Sequence, residues 1–138
     1  MLPRSLIIII LLWAGMILGI SFLESWIKFR TFTLTKAIGL DVGRTVFNSF
    51  HKVQCILLMM TVLVGIFTQL TLTNWLIVGI LAIIIILQLT WLFPILNQQV
   101  NAILAGEEPQ GSCIHNIYGI FEIGKFLILI DFSIRLMF

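Results

Sequence analysis

Three stretches of this chain, residues 6–23, 53–72 and 75–96, contain no acidic, basic or histidine side chain. A helix rises 1.5 Å per residue, so about 20 such residues cross the roughly 30 Å hydrocarbon layer of a bilayer. Hydrocarbon offers no water to the peptide groups, so a segment that crosses it must satisfy its own backbone and fold as a helix. A soluble fold of 138 residues would need polar side chains to cover its surface. Here 60% of residues are hydrophobic and 10% charged, with a mean hydropathy of +1.15, well outside the soluble range.

The net charge is +2, and the cations are scattered instead of forming a stripe interleaved with aromatic residues. That argues against nucleic-acid binding. Cys55 lies in the second apolar run and Cys113 in a later polar connection. They have neither metal-site nor redox-pair spacing, so both read as structural. Arg4 ahead of an apolar run with Gly15 and Gly19 has features of a signal peptide, but the segment reads as retained, and therefore as the first membrane helix.

Along the chain the sequence predicts helices over about 6–30, 41–70, 74–105 and 112–137 in a single domain covering 1–138. Trp26 and Lys28 suit a membrane interface, where a ring and a snorkelling amine both find water. Asp41 is expected to cap the second helix. The short uncharged turn 71–74 makes helices two and three an antiparallel hairpin. Pro94 deprives the carbonyl of Thr90 of its donor and bends helix three. Gly106 ends that helix, a polar loop follows at 107–111, and Ser112 caps helix four. The fold class expected is therefore all-α, an integral membrane four-helix bundle with antiparallel up-down topology. Lys28, Arg30, Lys36 and Arg44 outnumber Arg4 and Arg135 near the helix ends, which favours the face holding the first and third connections as cytoplasmic, with both termini outside.

Alternating helix directions bring the end of helix one, the start of two, the end of three and the start of four to one side. Arg44, Asn48, His51 and Cys55 share one stripe of helix two at helical spacing. His115, Tyr118 and Glu122 repeat the pattern on helix four, with Lys125 at its edge; Glu24 and Trp91 complete the candidate pocket, and Gln88 and Gln98 lie on a related face of helix three. An isolated ion in lipid costs about 2.5 to 3.5 kcal/mol on insertion scales, so these groups should face one another or water. The preferred pairing is Arg44 with Glu122 or Glu24. Asp131 and Arg135, four residues apart, neutralise each other near the opposite membrane face, with Arg4 as the alternative partner.

Glu-x-x-His and Cys-x-x-Cys pairs are missing, and His51 and His115 differ in depth by about 9 Å at 1.5 Å per residue, so no metal, haem or other cofactor is assigned. No serine or cysteine has a credible base, so no catalytic residue is assigned and the enzyme question stays open, weighted against. The leading expectation is a membrane protein that binds or transports an ion or small ligand, as a homo-oligomer or within a larger membrane complex. The alternative is an accessory subunit with no ligand of its own, for which Gly15 and Gly19, Gly65 and Gly79 offer close helix contacts.

Gly43-Arg44-Thr45-Val46-Phe47 at the start of helix two, Leu92-Phe93-Pro94 followed by Asn97, and His115 with Tyr118 opening helix four resemble an uncharacterised bacterial family. That family is similar to the class including the transmembrane protein 205 group. The resemblance in helix order spans nearly the whole chain and implies four membrane helices, with a link to export or tolerance of toxic compounds. It brings no catalytic residues with it.

Overall fold

The computed structural model describes residues 2–28, 30–108 and 113–138, and within them it is helical with no strand. Four long helices account for nearly all of it. Helix α1 covers residues 2–28, α2 is Lys36–Phe67, α3 is Leu72–Leu104 and α4 is Cys113–Met137. Three of these are long and apolar enough to cross a membrane: α1 from Arg4 to Lys28, α2 and α3. Helix α4 carries Glu122, Lys125, Asp131 and Arg135 and packs against the apolar α1.

The helix ends are set by local chemistry, and two of them differ from expectation. Helix α2 starts at Lys36 because the side chain of Thr35 accepts from the amide of Ile38 at 3.4 Å, so threonine is the cap. Asp41 lies inside the first two turns and binds Arg44 instead. Likewise Thr71 caps α3 by accepting from the amide of Asn74 at 3.4 Å, so the turn is 68–71 and not 71–74. In that turn Gln69 takes a positive φ of 50° while the amide of Leu70 reaches back to the carbonyl of Gly65. This is the left-handed helix ending that glycine usually provides. Gly106, with φ of +80°, ends α3 in the same way, and the amide of Glu107 closes on the carbonyl of Ala102 at 2.9 Å. The proposed Ser112 cap lies outside the described residues.

Helices α1 and α3 both contain π-helical stretches, Ile17–Glu24 in α1 and Gln88–Leu92 in α3. The second ends just before Pro94, which has no amide proton to give the preceding turn. The wider turn takes up the mismatch, with the amide of Phe93 bonding to the carbonyl of Gln88. Pi turns inside α-helices recur at functional sites, and both of these meet the same side chain.

The buried core is a layer of Leu6, Ile10, Trp13 and Ile17 from α1, Leu57 from α2, Leu81 and Ile85 from α3, and Leu129 and Phe132 from α4. Most of the outward positions are large and apolar, among them Ile8, Met59, Ile66, Ile83 and Leu127, each more than half exposed. A surface of this kind has no favourable contact with water.

Candidate functional site

At one end of the apolar layer the helices close around a polar cluster centred on Glu122 of α4. Its carboxylate and the ammonium of Lys125, three residues on, are both fully buried and lie 2.7 Å apart. Oε1 also accepts from Nε2 of Gln88 at 2.9 Å, and Oε2 accepts from the hydroxyl of Ser21 at 3.0 Å. Gln88 and Ser21 belong to the two π stretches, so each widened turn presents one donor to one oxygen of the carboxylate. The Lys125 ammonium donates in turn to Oε1 of Gln54 on α2 at 2.5 Å. The charges therefore cancel within a network drawn from all four helices.

One turn nearer the helix ends, the Tyr118 hydroxyl meets Nε2 of His51 at 3.1 Å, linking α4 to α2. Phe47 and Phe93 pack edge-on against this pair, with ring centroids 5.0 Å from Tyr118 and 5.1 Å from His51. Several polar atoms in this region are buried without a hydrogen-bond partner: Nδ1 of His51, Nε2 of Gln54, Oε1 of Gln88 and Oδ1 of Asn97. Both glutamine amides are oriented by their charged partners. Gln54 must turn its oxygen to Lys125 and Gln88 its nitrogen to Glu122, which leaves one donor and one acceptor unspent. An unmet buried polar group costs about 1–3 kcal/mol, and Nε1 of Trp13 in the apolar layer is unmet in the same way.

Two clefts lead to this cluster. One, lined by Lys28, Arg44, Asn97, His115 and Tyr118 over walls of Phe47 and Phe93, opens at the polar end. The other, about 50 Å³, runs from Ser25 and His115 past Gly119 to Glu122 itself.

Compared with protein families, with curated proteins and with solved structures, the chain matches none.

The residues singled out from sequence fall into three groups. His51, Tyr118, Glu122 and Lys125 lie together in the buried cluster. Glu24, Arg44 and His115 stand at its rim, but the pairing expected of Arg44 does not form. Arg44 binds Asp41 three residues before it and donates to Oδ1 of Asn101 on α3 at 2.5 Å, while Glu24 takes Lys28 at 3.4 Å. Local i, i+3 and i, i+4 partners reach these ions without crossing the bundle, and Lys125 takes the place that Arg44 was expected to fill. Asn48 and Trp91 are exposed, Trp91 by 49%, and face away from Glu122. At the other end Arg135 pairs with Asp131 at 2.6 Å. Ser21 and Gln54 were not singled out. Gln54 carried a usable signal, three residues after His51 in an apolar helix, whereas Ser21, which reaches Glu122 from the π stretch of α1, stands in an apolar run with no pattern to mark it. Among the described residues, no three or more His, Cys, Asp and Glu side chains group to hold a metal. Cys55 and Cys113 are both free.

Proposed function

We propose that this is an integral membrane protein whose four helices cross the bilayer in alternating directions, and that the Glu122 cluster is a binding site for an ion or small ligand. The observation that carries the reading is the fully buried Glu122–Lys125 pair, whose carboxylate lies at the floor of the cleft lined by Ser25, His115 and Tyr118. A buried ion pair is poor value for stability alone, since well-packed apolar residues in its place are often as stable or more so. Ionisable groups at membrane depth are more readily accounted for as working parts. Glu122 lies nine residues beyond Cys113, or about 14 Å along α4 at 1.5 Å per residue.

Several contacts support the alternating arrangement. His51 meets Tyr118 and Gln54 meets Lys125, so α2 and α4 advance together. The α2–α3 turn is four residues long, which brings α3 back beside α2. The exposed apolar faces suit lipid, and the stack of Arg30 on Trp26, at 4.2 Å, suits the interface. Movement of a ligand across the membrane would need an oligomer, because the dry layer from Leu6 to Phe132 closes the far side of the cluster. The lysine and arginine excess at the cluster end supports placing that end in the cytoplasm.

The accessory-subunit reading has one specific observation in its favour. A Cβ built on Gly15, Gly19 or Gly79 meets nothing within 4 Å, so these glycines serve no packing inside the chain.

Solvent access to the cleft tests the main reading. With Cys55 and Cys113 replaced by alanine, Gly119→Cys and Leu129→Cys are made singly in the full chain, reconstituted, and treated with a small cationic methanethiosulfonate. Position 119 should react markedly faster than position 129, which sits in the dry layer. Equal, slow reaction at both positions would remove the binding site and leave the subunit reading.

A further inference from the structure

The cleft that reaches Glu122 continues into a groove on the side of the bundle. Ser21, Ser25, His115 and Gly119 line both that cleft and a larger groove between the π stretch of α1 and the first half of α4. The outer rim of the groove is Leu18, Leu23, Trp26, Ile120 and Ile123, each 46% to 65% exposed and all apolar. If the helices lie in a bilayer as proposed above, this rim faces lipid chains and not water.

Two features of the groove define what fits it. The first is charge. Glu122 is neutralised by Lys125 and Glu24 by Lys28, so neither a cation nor an anion gains a net field there. The second is hydrogen bonding. The Ser21 hydroxyl has committed its proton to Glu122 Oε2, and its oxygen keeps lone pairs that the carboxylate makes more basic. Ser21 therefore calls for a donor, and the neighbouring Ser25 hydroxyl can donate to an oxygen. A group that donates and accepts at one atom and carries no charge is a hydroxyl. The aromatic and aliphatic walls, Phe22, Phe47 and Ile123, suit a hydrocarbon body.

We propose that this groove admits a neutral, hydroxyl-headed amphiphile from the bilayer, its hydroxyl donating to Ser21 Oγ above the buried Glu122–Lys125 pair. The inference rests on the membrane and binding-site reading and names the ligand class of that site. The π stretch has a part in it, because the widened turn brings Ser21 to Glu122 and opens the groove beside Gly119. A Cβ on Gly119 meets nothing within 4 Å, so that residue leaves the passage clear without being needed for packing.

Photolabelling tests the proposal. The full chain in phosphatidylcholine vesicles is irradiated with octanol carrying a diazirine, and adducts are located by mass spectrometry. Adducts should concentrate at residues 18–26 and 115–123 and be displaced by unlabelled octanol but not by octane. Gly119→Leu, which fills the passage, should abolish them. Gly79→Leu, whose added side chain also enters open space on another helix, should leave them intact. Ser21→Ala should require about three to ten times more octanol for displacement, the worth of one hydrogen bond of about 0.5–1.5 kcal/mol. Unchanged helicity in both glycine variants excludes misfolding as the cause. Labelling spread over all outer faces, equal displacement by octane, or labelling that survives Gly119→Leu would overturn the proposal. Should position 119 react with the thiol reagent while octanol labels indiscriminately, the binding site stands and the hydroxyl ligand falls. Should neither reach it, both fall.

Discussion

Lys125→Met is the most informative single change, because it removes one charge from a pair with no exposed surface. The variant leaves the Glu122 carboxylate with the Ser21 and Gln88 donors but no counter-charge, and it strips Gln54 Oε1 of its donor. Breaking a buried pair from one side costs about 3–5 kcal/mol. Ser21 and Gln88 still donate to the carboxylate, so a loss at the low end, about 3 kcal/mol, is expected. Glu122→Gln should cost a similar amount, because it strands the ammonium. The double variant Glu122→Gln, Lys125→Met has no stranded charge, and glutamine can still accept from Ser21 or Gln88. It should recover to within about 1 kcal/mol of the parent, since replacing both partners of a buried pair is often neutral. The assay is equilibrium unfolding in mixed micelles of mild detergent and increasing dodecyl sulfate, followed by tryptophan fluorescence, to which the fully buried Trp13 contributes. Additive losses in the double variant, or single losses below about 1 kcal/mol, would show that the two charges do not depend on each other and would refute the cluster as drawn.

Other consequences are more local. Tyr118→Phe leaves His51 Nε2 without its partner and should cost about 1–3 kcal/mol in the same assay, whereas a loss near zero would mean that water replaces the hydroxyl. Arg44→Leu breaks a tie from α2 to Asn101 of α3 at a side chain 29% exposed, so its cost should be only about 1 kcal/mol after solvent screening. Lys36→Leu, an exposed position at the start of α2, should cost less than Arg44→Leu, and equal unfolding midpoints would deny the Asn101 tie. Leu129→Ala opens a void in the buried apolar layer, and if the helices lie in lipid as proposed the loss is mainly of packing. About 2 kcal/mol is expected, the low end for such a truncation.

Much of this molecule can be read without coordinates. Long runs without ionisable residues admit few structures besides helices, because peptide groups in an apolar setting must bond to one another along the chain. The stripe of His51, and that of Tyr118 and Glu122, follow from 3.6 residues per turn. Gly106 as a helix end follows from its freedom to take positive φ. Partner choice does not follow from periodicity. Arg44 and Glu24 each had an opposite charge one turn away on their own helix, and the nearer partner won. Ser21 stands in an apolar run that shows no pattern, and its hydroxyl reaches Glu122 from the π stretch of α1. The sequence by itself determined that the chain is helical, that Gly106 ends a helix and which stripes are polar, since these depend on neighbours a few residues apart. The tertiary structure alone decided that Lys125 neutralises Glu122, that two widened turns converge on one carboxylate, and that a groove opens beside Gly119. Those outcomes depend on the rotation and height of four helices against one another, which packing fixes and local sequence does not.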